Sequence, residues 1–237
     1  MASRFLHIII FLSLFTATSL IAQEVTQQNR DTEKIKGTRH IPYPSYSGNP
    51  YLNDKFGVGE IEFADGSKTA DLFLRYSTYK DELIYFNPVI SAQIVIDKIS
   101  LKGFWLIDKN GTKRVFRQHY YNGFLAGNRF FEVLSDGDVS LLVYRSVVLQ
   151  NCAPYNSEAG ILKNMEYLES FNYYLYNSKK GYELIRTGKN GLLSKFDKPN
   201  QKLVKKILRQ NKLRIADELS FVKAWDLILK SGVKIIF

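Results

Sequence analysis

One cysteine, three histidines, two methionines and six prolines are all that a chain of 237 residues carries of these types. Each scarcity excludes something. The lone Cys152 can form no intramolecular disulfide, so stability rests on packing alone. It also leaves no multi-cysteine zinc or iron–sulfur site. Beyond the apolar N-terminus only His40 and His119 remain. His119 stands in Arg117-Gln-His-Tyr-Tyr121 with no second ligand at i+2 or i+4, which reads as a structural or surface histidine rather than a metal ligand. No Gly-x-Ser-x-Gly elbow and no glycine-rich phosphate loop occur. Cys152 with His119 resembles a thiol dyad only in residue type, because Gln150-Asn-Cys-Ala-Pro154 simply follows a long strand pattern. Asp136 and Asp138 bracket Gly137, where turn chemistry wants them. Asn110-Gly-Thr112 fits a glycosylation sequon, but a hairpin turn explains the same residues. No repeat of fixed period is present. No catalytic group, metal or cofactor is expected, and the chain reads as non-enzymatic, the alternative being an enzyme whose site is built from residues distant in the sequence.

What is there begins with an export pattern. Arg4 is the only charge before Glu24. Phe5–Leu14 is apolar and is extended by the mixed Phe15–Ile21. Ala22 then precedes polar Gln23 and Glu24. This is the order of a secretory signal peptide, with removal expected after Ala22. The expected destination is the periplasm, the cell surface or the medium. The alternative is an uncleaved N-terminal helix tethering the protein to a membrane. Ser13, Thr16, Thr18 and Ser19 dilute such a span, and no Lys or Arg follows before Arg30. No cysteine stands at the cut to carry a lipid anchor.

Charge is concentrated. The formal net charge is +10. From Lys179 to Arg214 twelve Lys and Arg stand against only Glu183 and Asp197. The rest of the chain after residue 22 is nearly neutral, so one basic segment sits on an uncharged body. Aromatics are abundant, with 15 Tyr and 16 Phe, a bias toward pleated, half-buried surfaces.

Four segments follow: the signal at 1–22, a leader at 23–50, a β domain at 51–188 and a basic helical segment at 189–237. Gln23–Lys36 is polar and expected to be disordered. Pro42, Pro44 and Pro50 impose extended backbone on the rest of the leader, and Tyr43, Tyr46, Tyr51 and Leu52 are placed to strap it over a sheet edge. Ten strand patterns then succeed one another in hairpins, the strongest turn signal being Asn110-Gly111. With no room for crossover helices, an antiparallel sandwich or incomplete barrel of about ten strands is expected, in a plain up-and-down series. Pro154 and Gly160 make 152–170 read as a long loop. After Gly188 the apolar period changes to that of helices. Leu203, Val204, Ile207 and Leu208 form one stripe, with Asp197 and Pro199 at the start. A second helix is expected from Asp217 to Lys230, with Leu219, Val222 and Leu229 on one face beside Trp225 and Ile228, and Gly232 as its stop. The fold class is therefore mainly β with a C-terminal helical pair.

Gly48-Asn-Pro-Tyr-Leu52, Leu74-Arg-Tyr76, Gly127-Asn-Arg-Phe-Phe-Glu-Val-Leu134 and Lys212-Leu213 before a final helix together resemble uncharacterised exported proteins of Bacteroidetes-type bacteria. The resemblance spans most of the chain after residue 22, through short turn and strand motifs. It implies a periplasmic or surface location and no reaction.

Two groups of residues are candidates for binding. Lys198, Lys202, Lys205, Lys206 and Arg209 lie away from the apolar stripe of their helix, where they can meet phosphate or lipid headgroups or simply solvate the helix. The expected partner is an anionic envelope surface or another envelope protein, not nucleic acid, since no recognition fold is present. Tyr120-Tyr121, Phe130-Phe131 and Tyr173-Tyr174 are adjacent aromatics that point to opposite strand faces. Tyr121, Phe131 and Tyr174 are the members placed to stack on a glycan, lipid or other small ligand; cross-strand packing is the competing explanation. The functional expectation is an envelope interaction or structural domain, with ligand binding and anionic docking as alternatives.

Overall fold

A computed structural model of the chain describes residues 33–69, 71–123 and 126–236. The expected signal at 1–22 and the first part of the leader lie outside the described residues. The architecture is mainly β, as the patterns imply. Eleven strands form one open antiparallel sheet, followed by helices. The strands are β1 (Gly37–Arg39), β2 (Gly57–Phe63), β3 (Leu72–Ser77), β4 (Glu82–Asn87), β5 (Ala92–Ile96), β6 (Leu101–Ile107), β7 (Lys113–Tyr121), β8 (Gly127–Ser135), β9 (Ser140–Asn156), β10 (Leu162–Asn177) and β11 (Gly181–Ile185). The helices are α1 (Lys189–Leu193), α2 (Lys198–Gln210) and α3 (Glu218–Lys230). Among the described residues no helix is long and apolar enough to cross a membrane.

Local chemistry sets the hairpins. At Asn110-Gly111 the glycine takes φ +78°, and the Asp108 carboxylate accepts from the backbone N–H of Asn110 and Thr112 at 2.8 and 2.9 Å. That geometry closes the β6–β7 turn. Asp136 accepts from the N–H of Gly137 and the hydroxyl of Ser140, so it serves the β8–β9 turn.

The series departs from a plain meander twice, where β1 pairs with β5 rather than β2 and where β6 pairs with β2 rather than β5. The strand order runs β1-β5-β4-β3-β2-β6 and then on to β11 in sequence, so β5 and β6 lie on opposite sides of β2. A 3-10 turn at Lys98–Ser100 links them. The link is short because the sheet curls. Tyr76 on β3 comes within 4.9 Å of the Phe116 ring on β7 and 6.1 Å of Phe130 on β8, although β3 and β8 are four strand spacings of about 4.8 Å apart along the sheet. Ile61, Leu74, Leu83, Phe104 and Leu106 fill the same enclosed face. The turn itself is pinned: the Lys98 ammonium meets Asp81 at 2.8 Å, and the Gln118 amide donates to the Lys98 carbonyl at 2.7 Å.

The same sheet face continues into a second core. Register places Leu141, Leu175 and Ile185 on it, and there the helices cover it with Phe196, Val204, Phe221, Trp225 and Ile228. Full burial of each such side chain contributes about 1.5–3 kcal/mol. Between the two cores lies a ladder of ions. Asp108 pairs with Arg114, Arg114 with Glu132, Glu132 with Arg145, and Arg145 with Glu218 at the start of α3. Every buried charge in it has a hydrogen-bonded partner, which burial demands.

Several expectations are corrected. Residues 152–170 are a ribbon, not a loop: β9 reaches Asn156 and β10 starts at Leu162. Pro154 is tolerated because the register shifts between Lys163 and Met165, opposite it, and Gly160 sits in the ribbon's turn at φ +72°. Gly37–Arg39, within the leader, is an edge strand on β5. The prolines keep 41–47 extended, and Gly48 turns the chain at φ +81°. This strap pairs Ser47 with Glu166 on the free edge of β10 and Tyr51 with Ser77 at the end of β3. Among the described residues the C-terminal helices are three, with α1 the unexpected one. The buried face of α2 is the expected stripe without Leu203, whereas that of α3 is rotated from the expected one. Leu203 and Leu219 are exposed, while Phe221 and Ala224 are buried. Apolar spacing alone does not say which of two overlapping stripes meets the sheet.

Candidate functional site

The basic candidate is built by α2 and the loop that leaves it. Asp197 caps the helix, accepting from the Asn200 N–H at 2.9 Å, with Pro199 in the first turn. Val204, Ile207 and Leu208 anchor one side in the core. Lys202, Lys205, Lys206 and Arg209 then fall at i, i+3, i+4 and i+7 on another side, all exposed. At the C-terminus Lys212 adopts φ +50°. Its N–H bonds the Arg209 carbonyl at 3.1 Å, and the Leu213 N–H bonds that of Leu208 at 2.9 Å. This is a Schellman ending with a lysine where glycine is favoured. It folds Leu213 back onto Leu208 and delivers Arg214 beside the helix.

The result is an open cleft of about 710 Å³. Its charged lining is Lys202, Lys205, Lys206 and Arg209 together with Lys189 of α1 and Arg214. Leu208, Leu213 and Ile215 supply an apolar floor. No carboxylate lines the cleft, and none of the six cations forms an ion pair with a described residue. Lys198, expected in the group, stands at the helix start outside the lining. Lys189 and Arg214 were not expected, since only the Schellman turn and the unforeseen α1 bring them near. The cleft's chemistry is that of anion binding, with flexible point charges over a small greasy base.

The aromatic candidate lies on the opposite sheet face. Register puts His119 and Tyr121 of β7, Phe131 of β8, Tyr144 of β9, Tyr174 of β10 and Tyr182 of β11 on that face. Phe131 is the hub. Its ring stacks on Tyr182 at 5.3 Å and meets Tyr144, Tyr174, His119 and Tyr121 at 5.6 to 6.1 Å. β8 and β11 are three strands apart, so the sheet must curl here as well, toward this face. Burial, with the Arg117 charge second, holds the His119 imidazole below its ordinary range. Burial first, then the charge of Asp81, pushes the Tyr144 hydroxyl up to about 12. Burial, then a hydrogen bond with Tyr121, also raises Tyr174. These phenols stay protonated donors at any physiological pH.

Tyr121, Phe131 and Tyr174 therefore do converge, on a cavity of about 340 Å³. Arg129, Tyr144 and Asn172 also line it. Phe131 is 1% exposed and acts as floor; Tyr121 and Tyr174 are half-buried walls. Sequence reasoning named the rings but not Asn172, which faces the cavity because β9 pairs Tyr144 with it.

His119 packs on the Tyr176 ring at 4.7 Å, and no hydrogen bond joins it to Cys152, a free thiol on β9. Among the described residues no group of three or more His, Cys, Asp or Glu is arranged to hold a metal ion. Compared with protein-family models, curated proteins and solved structures, the chain matches none.

Proposed function

We propose that this is an exported, non-catalytic interaction domain that docks on a phosphate-bearing lipid surface of the cell envelope through the α2 cleft. One observation carries the reading: six cations line one cleft with no carboxylate among them. Like charges at i, i+3 and i+4 on a helix cost it stability, by about 0.2–0.5 kcal/mol per pair. Solubility alone asks for charge of mixed sign, so an unrelieved cluster is better explained by an anionic partner. The export pattern at 1–22 and the resemblance to exported Bacteroidetes-type proteins support an envelope location. The curled sheet serves as a scaffold, with α1, α2 and the Schellman loop packed into one core against it.

The test is co-sedimentation with vesicles of phosphatidylcholine, with and without phosphatidylglycerol. Binding should require the anionic lipid and fall steeply between low salt and about 0.5 M salt, where screening shortens to a few ångströms. Replacing Lys202, Lys205, Lys206 and Arg209 together by Gln should abolish it. Binding that is indifferent to lipid charge, or that survives the replacement, contradicts the proposal.

A further inference from the structure

The cavity under Tyr121 and Tyr174 is separate from the basic cleft, on the other face of the sheet, and the docking reading does not use it. Its walls are aromatic and its polar groups are few. The Asn172 carboxamide, with two donors and one acceptor, has no hydrogen-bond partner among the described residues. Ser146 gives its hydroxyl to the Ser170 carbonyl at 3.2 Å. Arg129 lies 3.8 Å from the Asp81 carboxylate, which also holds the Lys98 ammonium at 2.8 Å. The cavity thus offers ring faces, an unengaged amide, phenol hydroxyls and the Arg129 guanidinium. At about 340 Å³ it stands at the small end of ligand sites, large enough for one or two rings.

We infer that this cavity is a binding site for a saccharide, one pyranose ring lying against the joined Tyr121–Tyr174 wall with its hydroxyls on Asn172. A pyranose has an apolar C–H face and a rim of hydroxyls. The negative face of a tyrosine ring attracts the slightly positive C–H groups, and an amide both donates to and accepts from neighbouring hydroxyls. A long acyl chain would need an apolar channel rather than a small cavity with polar groups in its lining. Tyr121 and Tyr174 pack edge-to-face on each other, with ring centres 5.6 Å apart at 63°, so they form one continuous wall for the sugar ring to lie on. Phe131 and Tyr182, stacked beneath, hold that wall in place, so little ordering is left to be done on binding.

The experiment is saturation-transfer NMR on the purified protein with maltose, cellobiose, N,N′-diacetylchitobiose and methyl mannoside as probes. Transfer to ring C–H protons of at least one sugar is expected. Asn172→Ala and Tyr174→Ala, each checked for an unchanged circular dichroism spectrum, should weaken that binding by about tenfold, the loss of one good hydrogen-bonding or stacking group. Loss in either folded variant supports the site. The fourfold Gln variant of α2 should leave transfer unchanged, so failure of this inference is distinguishable from failure of the docking proposal. No transfer to any of the four sugars, or transfer unchanged in both variants, overturns it.

Discussion

Phe130 and Phe131 are chain neighbours on β8, project to opposite faces of the sheet, and are both buried, at 0% and 1% exposure. Phe130 belongs to the core shared with Tyr76, Phe104 and Phe116. Phe131 is the hub of the aromatic cluster on the other side. A flat sheet with one covered face would leave one of them wet. The sheet instead curls toward one face in its first half and toward the other in its second, and β8 lies where the sense changes.

Both phenylalanines should therefore behave as core residues. Phe130→Ala and Phe131→Ala are each expected to cost about 3–5 kcal/mol, the range for deleting a buried aromatic side chain. Urea denaturation followed by tyrosine fluorescence measures both. A near-neutral Phe131→Ala contradicts the second curl.

The ion ladder joins sheet to helices at Arg145, which reaches Glu218 at 2.8 Å while also holding Glu132. Arg145→Ala leaves the buried Glu132 with Arg114 alone, so a loss of about 3–5 kcal/mol is expected. The loss should be smaller when Glu132→Leu accompanies it, since no carboxylate is then stranded. Equal losses in the single and double variants would show that the pairing itself matters little.

Stability should fall with pH in two steps. His119 is held below its ordinary range by burial and by Arg117, and His40 by burial and Arg75. The folded state prefers both neutral, so the unfolded chain takes up protons first as pH drops through about 6.5, and stability is lost below that value. His119→Phe should remove part of this step. At Glu218 burial raises the carboxyl, but hydrogen bonds from Arg145 and Tyr173 and the charge of Arg145 outweigh it and hold the group below its usual range. Its contribution is present above about pH 4.3, the ordinary glutamate value, and lost as pH falls through the lower folded value. Glu218→Gln should flatten that second step. An unfolding free energy constant from pH 7 to 5 contradicts the histidine part.

Lys212 holds a left-handed conformation, φ +50°, at the end of α2. Lys212→Gly is expected to raise stability by about 0.5–1 kcal/mol in thermal unfolding, because glycine adopts that region without strain. Lys212 does not line the cleft, so vesicle binding should persist. Destabilisation would mean that the lysine makes a compensating contact.

Much of this was legible because the signals are local. Asn110-Gly111, Asp65-Gly66 and Lys180-Gly181 write their hairpins in two residues each, and Asp197 and Asp217 mark helix starts through their own carboxylates. The hidden parts depend on distant partners. β1 forms only because β5 offers an edge some fifty-five residues on. The β9–β10 ribbon was masked by Pro154 and Gly160, which look like breakers until the register shift and the turn that hold them are seen. At the sites, the spacing on α2 announced four cleft cations, while Lys189 and Arg214 arrive through tertiary folding. Tyr121, Phe131 and Tyr174 could be named as aromatics, but their convergence needs the second curl, which no pairwise pattern encodes.

The central claim is that binding to an anionic surface comes from the arrangement of cations in the α2 cleft and not from the protein's total charge. The most direct measurement compares two variants of equal net charge on phosphatidylglycerol vesicles at low salt. One carries Gln at Lys202, Lys205, Lys206 and Arg209; the other carries Gln at the exposed Lys36, Lys55, Lys109 and Lys230, none of which lines the cleft. The first should lose binding by about tenfold or more while the second stays near the parent, since surface attraction acts within a Debye length. Equal losses in the two variants, or none in the first, would contradict the account.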